Sequence, residues 1–378
     1  MSRTGGVAGG PIGFACHWGG DRTSTWSGTP LRLLEAMARI DDVNDVDVTL
    51  PRATREMHRL LHVRREAGRW HSGWRHSGGG IRAVERRLKT ASRDRDFRAI
   101  LEVGDLGVVG QPYFVLQDLS YDLLLEQLQH GASVPHFRSL THRDLLRLQH
   151  RQRRVYDSAT GILAMSSWLG ESLIRSGVPR ERVHVVHPGT NAPHLSPRDQ
   201  NLPGRRTGRT MKLLFVGRDF DTKAGAQVVA AFQILRQRRG EAISLTVAGP
   251  PVWPMKRLPA GVHFLGAVPA AEVRELYDSH DLFVMPSHFE GFGIVFAEAL
   301  SRGLPCIGRR ACAMPEIIDP WAGGLLIETT EPEELAEAIV ATLGDDGLYE
   351  RCASAAGGRS AYYTWDRAAQ QVLTAMGS

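Results

Sequence analysis

Cysteine is scarce. Cys16, Cys306, Cys312 and Cys352 are the only four in 378 residues. They are too scattered for a disulfide scaffold or a zinc site, and they suit a reducing cytoplasm. Cys306 and Cys312 are expected to pack as small hydrophobes. Long apolar runs are also lacking. No stretch reaches the roughly 18 uninterrupted apolar residues of a membrane span. The opening "MSRTGGVAGGPIGFACHW" carries only a short apolar patch and is not expected to act as a signal peptide. No G-x-x-x-x-G-K-[ST] occurs, which excludes a P-loop. The fifteen histidines form no H-E-x-x-H pair, so a lone one such as His187 is expected to be structural. No repeat of fixed period is present.

The composition is otherwise that of an ordinary globular protein, 42% hydrophobic and 23% charged, and the length suggests two domains. The net charge of +5 is uneven. Between Arg52 and Arg98 fourteen Lys/Arg face five Asp/Glu, so the rest of the chain is slightly acidic. One reading is a solvated helical face. The other is a surface attracted to anionic lipid or an anionic acceptor, with Trp70 and Trp74 at a membrane interface. Nucleic acid is not expected as a partner, because no recognition motif accompanies the charge. The expected location is the cytoplasm, with peripheral contact at the inner membrane face under the second reading.

Short β-rich runs alternate with amphipathic helices. "IGFACHW", "VDVTLP", "FRAILEVG", "YFVLQ", "GILAMS" and "VHVVHPG" read as strands in the first half. "MKLLFVG", "ISLTVAG", "VHFLG", "LFVMP", "PCIG" and "GLLIE" read as strands in the second. Such alternation predicts parallel sheets covered by helices. Residues 196–210, rich in Pro, Gly, Asn and Arg, are the linker candidate. The expected domains are therefore 1–195 and 211–360. Residues 361–378 form a closing helix that returns to the first domain.

Three stretches carry chemistry. "HFEGFGIVFAEAL" follows the strand "LFVMP" and so lies where open α/β sheets bind ligands. Gly291 and Gly293 allow close backbone approach, and helix-start amides carry partial positive charge. Glu290 precedes the helix, while Glu298 lies inside it and suits a vicinal diol such as a ribose. "FVGRDFDTKAG" also follows a strand: Gly217 permits a tight approach, and Arg218 and Lys223 suit a diphosphate. In "TWSGTPLRLL", Ser27, Gly28 and Thr29 form a polar strand-to-helix turn, with Thr29 as the expected cap and Pro30 at the first helical position. For each stretch the competing reading is an ordinary helix start or solvated loop charge.

Taken together, these stretches resemble the retaining glycosyltransferases of family 4, which have the GT-B fold: two Rossmann-like domains facing a central cleft. "SSWLGESLIRSGVPRERVHVVHPGTN" is similar to the end of that family's first domain, "WSGTP" to its glycine loop and "TWDRAAQQVL" to its closing helix. The resemblance implies that Arg218 and Lys223 hold the diphosphate of a UDP- or GDP-sugar donor. It implies that Glu298 binds the ribose, and that Glu290 with the amides of Gly291, Phe292 and Gly293 holds the sugar. Gly28 and Thr29 would approach the diphosphate from the first domain, with Gly217 and Gly266 also lining the donor site. Configuration would be retained through same-face attack, the leaving phosphate taking the acceptor's proton. The protein's work is to stabilise a departing diphosphate. The acceptor is a hydroxyl on a small molecule, a glycan or a lipid-linked group. That fits a place in natural-product or polysaccharide biosynthesis.

The family's histidine near the donor sugar is missing here. The matching stretch is "YFVLQDLSYD", where Gln117 can hydrogen-bond a sugar but not take a proton, and Asp118 can do either or serve as a structural cap; which of the two takes the role is left open. No metal and no cofactor are expected: "DVD" at 45–47, "DRD" at 94–96 and "DFD" at 219–221 are short enough to arise by chance. Two alternatives share the fold, a sugar-nucleotide epimerase and a non-catalytic partner subunit.

Overall fold

The computed structural model describes residues 10–19, 21–66, 69–129, 137, 140–191 and 210–377. The chain divides into two compact units. Met1–Gln127, Phe137–Pro188 and Trp365–Ser378 form the first, and Leu128–His136 with Gly189–Thr364 form the second. Of the linker candidate, only Thr210 falls among the described residues.

The first unit runs β1 (Ile12–Cys16), α1 (Thr29–Met37), β2 (Val43–Asp47), α2 (Arg52–Leu61), β3 (Val63–Glu66), β4 (Arg69–Ser72), α3 (Gly78–Arg93), β5 (Ala99–Val103), β6 (Tyr113–Gln117), α4 (Tyr121–Gln129), α5 (His142–Ser158), β7 (Gly161–Ala164), α6 (Ser167–Arg175) and β8 (Val183–Val185). The second runs β9 (Met211–Val216), α7 (Gly225–Arg239), β10 (Ile243–Ala248), β11 (Val262–Gly266), α8 (Ala270–Ser279), β12 (Leu282–Val284), α9 (Ile294–Ser301), β13 (Cys306–Arg309), α10 (Met314–Ile318), β14 (Gly324–Ile327), α11 (Pro332–Gly344) and α12 (Asp346–Tyr362). The last helix, α13 (Trp365–Ala375), belongs to the first unit.

Each unit is built on a six-stranded parallel sheet. The orders are β2-β1-β5-β6-β7-β8 and β11-β10-β9-β12-β13-β14. Helices cover both faces, so the central strands are apolar throughout rather than alternating; β1, β5 and β6 are buried along their whole length. In the first unit two apolar clusters flank the sheet. Ala368, Ala369, Val372 and Leu373 of α13 pack in one of them with Leu33, Ala36 and Met37 of α1. In the second unit, the order is that of a doubly wound sheet whose direction reverses between β9 and β12. Ligands of such sheets sit outside the strand ends at that reversal.

Several local expectations are corrected. β2 begins at Val43 rather than Val46, because Ile12 of β1 pairs with Val43. The basic stretch is not one helical face but α2, the antiparallel β3–β4 hairpin and α3. Trp74 is not at an interface: it is 5% exposed, packed beside His17 and His58. Thr29 is the first residue of α1 and not its cap; Gly28 caps with φ 85°, and no side chain accepts from the first turn. The closing helical text breaks between Tyr362 and Trp365 into α12 and α13.

Candidate functional site

In the second unit, the loops that follow β9 and β12 are fastened to each other. After β9 the chain passes Gly217, whose N–H donates to Ala248 O at 2.9 Å. Gly249 presses against it: a Cβ there would stand 2.6 Å from Gly217 C, on a backbone at φ 116° that favours glycine. Asp219 then accepts from Thr222 N at 3.2 Å and Thr222 Oγ1 at 2.6 Å, so the first aspartate of "DFD" shapes the turn. The turn delivers Lys223 to the start of α7. The backbone N–H of His288 donates to Thr222 O at 2.9 Å, which ties the two loops.

That tie brings Lys223 to Glu290. Lys223 Nζ lies 2.7 Å from Glu290 Oε2 and 3.4 Å from Phe289 O. The side chains are 21% and 11% exposed, so the pair is largely removed from water. Ser287 Oγ lies 3.5 Å from the same Glu290 oxygen. Arg309, at the end of β13, donates to Ser287 O at 3.1 Å and His288 O at 2.6 Å and so fixes the loop from below. Burial, and next the Arg309 charge, push the His288 imidazole below its ordinary pKa. Arg218 is exposed and forms no ion pair with a described residue.

Gly293 caps α9 in the left-handed region, φ 92°, where a Cβ would meet Phe296 at 2.9 Å and Glu290 Cγ at 3.1 Å. Phe292 is buried with its ring edge-on to Tyr363, and Gly291 beside it is half-buried. Glu298 lies on the buried side of α9. Its Oε1 accepts from Asn191 N at 3.1 Å and its Oε2 from Tyr277 Oη at 3.1 Å. Burial raises its carboxyl above the ordinary range, opposed by those hydrogen bonds. Gly266 ends β11 at φ 70° with open space where a side chain would stand, and its carbonyl accepts from Gly249 N at 2.7 Å.

In the first unit, Trp26, Ser27 and Gly28 have φ of 44°, 57° and 85° in succession. Left-handed backbone at non-glycine residues costs about 1–3 kcal/mol each and collects at ligand-handling loops. Thr29 is buried behind that loop. Gln117 ends β6 as a buried residue whose Nε2 donates to Leu119 O at 2.6 Å, and Asp118 follows it half-buried. Among the described residues no group of three or more His, Cys, Asp or Glu could hold a metal ion.

The structure thus brings together Gly217, Lys223, Glu290 and Gly293 around one pair of strand ends, with Arg218 on the same loop. Glu298 sits with Tyr277 and Asn191. Sequence reasoning missed Arg309 and Tyr277. For Arg309 a signal existed, a cation directly after the strand "PCIG", the same signal that marked Arg218 after "FVG".

Known proteins bear on this arrangement at two levels. The fold is GT-B. The chain superimposes on sucrose-phosphate synthase from Thermosynechococcus elongatus with a TM-score of 0.69 at 16% identity, over 97% of this chain and 98% of that one. It superimposes on Anabaena Alr3699/HepE in complex with UDP-glucose with a TM-score of 0.67 at 16% identity, over 97% and 99%. Within the chain, residues 204–359 match the family of glycosyl transferases group 1. The D-inositol 3-phosphate glycosyltransferase of Xylanimonas cellulosilytica is 28% identical over 244 residues, 59% of this chain and 58% of the relative. The chain spans about half the length of the curated relatives it matches.

Proposed function

We propose that the protein is a retaining glycosyltransferase of family 4, transferring a hexose-type sugar from a UDP- or GDP-sugar to a hydroxyl acceptor without a metal. The observation that carries this reading is the Lys223–Glu290 pair at the sheet's reversal point, beside the exposed Arg218. Arg218 offers a planar fork to the diphosphate and Lys223 a point charge. Both stabilise negative charge as the sugar leaves. Glu290 and the amides at the start of α9 hold the sugar, and Glu298 the ribose. Of Gln117 and Asp118 at the end of β6, Asp118 is the one able to exchange a proton. With two protein cations facing the diphosphate, activity is expected to survive excess chelator. UDP-glucose, held by the Anabaena neighbour, is the first donor to try.

The test is a thermal-shift panel of nucleoside-diphosphate sugars, since a ligand bound to the folded state raises the melting temperature by mass action. The anomeric configuration of any product is then read by NMR. No shift with any donor sinks the proposal, and an inverted product sinks its retaining part. A peripheral membrane contact is proposed through α2, which exposes Met57, Leu60 and Leu61 beside the exposed Arg52 and Arg59. Apolar side chains flanked by cations fit an anionic bilayer surface.

A further inference from the structure

The first unit holds a second concentration of cationic groups, all its own. It is built around Trp74. The His17 ring, just past the end of β1, lies 5.7 Å from the Trp74 ring, and the His58 ring of α2 lies 6.2 Å from it. The Arg75 guanidinium stands 5.8 Å from the same ring. Arg75 forms no hydrogen bond or ion pair with a described residue. The nearest carboxylate oxygen to Arg55 among those residues is Glu56 Oε1 at 3.9 Å, too far for a hydrogen bond. Burial, and next the charge of Arg55, hold Arg75 below its ordinary pKa. Burial, and next Arg75, do the same to His17, with Asp47 the one acid acting against them. Cations crowded this closely repel, and among the described residues Asp47 and the 3.9 Å Arg55–Glu56 ion pair offset only part of that repulsion.

Helix α3 starts at the same place. Its cap Ser77 accepts from Gly80 N at 3.1 Å, and its first turn contains no acid. Helix geometry leaves the N–H groups of Gly78 and Gly79 without intrahelical acceptors, at the positive end of a sixteen-residue dipole. Gly79 faces His58: a Cβ on Gly79 would stand 3.4 Å from His58 Cε1 and 3.7 Å from His58 Nδ1. His58 is nine-tenths buried, and its Nδ1 has no hydrogen-bond partner. His17 Nε2 is likewise buried without one. A buried polar nitrogen left unpaired is costly, so two of them beside helix amides without intrahelical acceptors suit a ligand that can bond to both, the imidazoles taking the tautomer or protonation state that donates. Around Gly78 the charge is positive again, with Arg82 Nη2 3.4 Å and Arg147 Nη1 3.7 Å from the position a Cβ would take.

We propose that His17, Arg55, His58, Arg75 and the N–H groups of Gly78 and Gly79 form a phosphate site, which selects acceptors that carry a phosphate group. Donors approaching one point from different elements match a tetrahedral oxyanion with several acceptor atoms, and helix starts are ready anion sites. The phosphate belongs either to a soluble phosphorylated acceptor or to a lipid headgroup. Phosphate binding stands on the residues above, whereas its role in acceptor choice rests on the glycosyltransferase reading.

Calorimetry of the full chain with inorganic phosphate tests the site. Arg75→Gln and Gly79→Ala should each weaken binding at least tenfold. Alanine favours the helix over glycine, so Gly79→Ala keeps the fold while its methyl fills the gap before His58. Circular dichroism checks both variants. Wild-type binding in both, or no binding to the wild type, overturns the site. Glucose 6-phosphate and phosphatidylcholine vesicles with phosphatidic acid then separate the two sources, according to which one binds in an Arg75-dependent way. In transfer assays a phosphorylated acceptor should exceed its dephosphorylated form at least tenfold in kcat/KM, and Arg75→Gln should erase the difference. Arg75-dependent phosphate binding with no transfer from any donor leaves the site standing and refutes the enzyme reading. Equal transfer to both acceptors refutes the acceptor role.

Discussion

Glu290→Gln tests the centre of the second unit. The substitution keeps size and leaves an amide oxygen for Lys223, replacing a charged hydrogen bond at 2.7 Å by a neutral one. The difference between those classes, about 1.5–3 against 0.5–1.5 kcal/mol, sets the expected loss of stability near 1 kcal/mol. Lys223→Met is harsher. It leaves the carboxylate of Glu290 nearly buried, with Ser287 Oγ at 3.5 Å as the other near donor. Removing one member of a buried pair costs about 3–5 kcal/mol, and the residual exposure of this pair lowers that to about 2–3. The double variant should cost less than the two single losses together, because no charge is then left alone. Urea unfolding of the four proteins measures this, and calorimetry with UDP and GDP alongside it measures ligand affinity. Glu290→Gln frees Lys223 for phosphate, so nucleoside-diphosphate affinity should hold or rise while turnover falls, the pattern of an interaction strengthened in the transition state. Additive stabilities together with lost nucleotide affinity in Glu290→Gln would refute both the pairing and the assignment of roles.

Arg218→Ala should lower donor turnover at least tenfold with an unchanged melting temperature, since the side chain is exposed and carries no structural ion pair among the described residues. Steady-state kinetics beside a thermal melt decide this. Glu298→Gln should weaken donor and free nucleoside diphosphate alike, by about 1.5–3 kcal/mol in calorimetry; unchanged affinity with lost turnover would exchange the roles of the two glutamates. Burial raises the Glu102 carboxyl well above its ordinary 4.5, against the opposing N–H groups of Gly107 and Leu106. The folded state therefore binds the extra proton, so stability should fall as pH rises above that value, and Glu102→Gln should flatten the urea midpoint across the acid-to-neutral range. Leu60→Ser with Leu61→Ser should reduce co-sedimentation with anionic vesicles at low salt, and wild-type binding by that variant would remove α2 as the contact.

Much of this architecture was legible because parallel sheets write themselves plainly. Strands buried on both faces read as apolar runs, and every chemistry-bearing turn follows one, so Arg218, Lys223 and Glu290 could be placed at strand ends from sequence. Their meeting could not. Lys223 and Glu290 are 67 positions apart, and local pattern says nothing about which strand ends become neighbours. The order β9–β12 decides it. Helix α12 was hidden for another reason. "CASAAGGRSAY" contains Gly357 and Gly358, each costing about 1 kcal/mol in a helix interior. Tertiary contacts override that preference. Arg359 is fully buried and donates to Leu300 O at 3.1 Å, Cys352 O at 3.3 Å and Trp321 O at 2.7 Å. A lone arginine in a small-residue stretch gives no hint of three buried carbonyls.

The spacing of the two glutamates follows from where charge can be tolerated. A mostly buried ammonium needs a counter-charge whether or not a ligand is bound, because an isolated one would give up its proton or its position. Glu290 supplies that charge to Lys223 from the start of α9, where partial positive charge also favours a carboxylate. Glu298, five residues into the helix, forms no ion pair with a described residue. It is held by Asn191 N–H and the Tyr277 hydroxyl, and burial pushes its pKa up. A carboxylate in that position keeps its charge only through hydrogen-bond donors, and two more from a vicinal diol would stabilise it further. On the proposed reading, one glutamate shares a cation with a phosphate and the other receives hydroxyls. Seven intervening residues carry the chain from the loop before α9, where Glu290 meets Lys223, to the buried face of the helix, where Glu298 meets Tyr277.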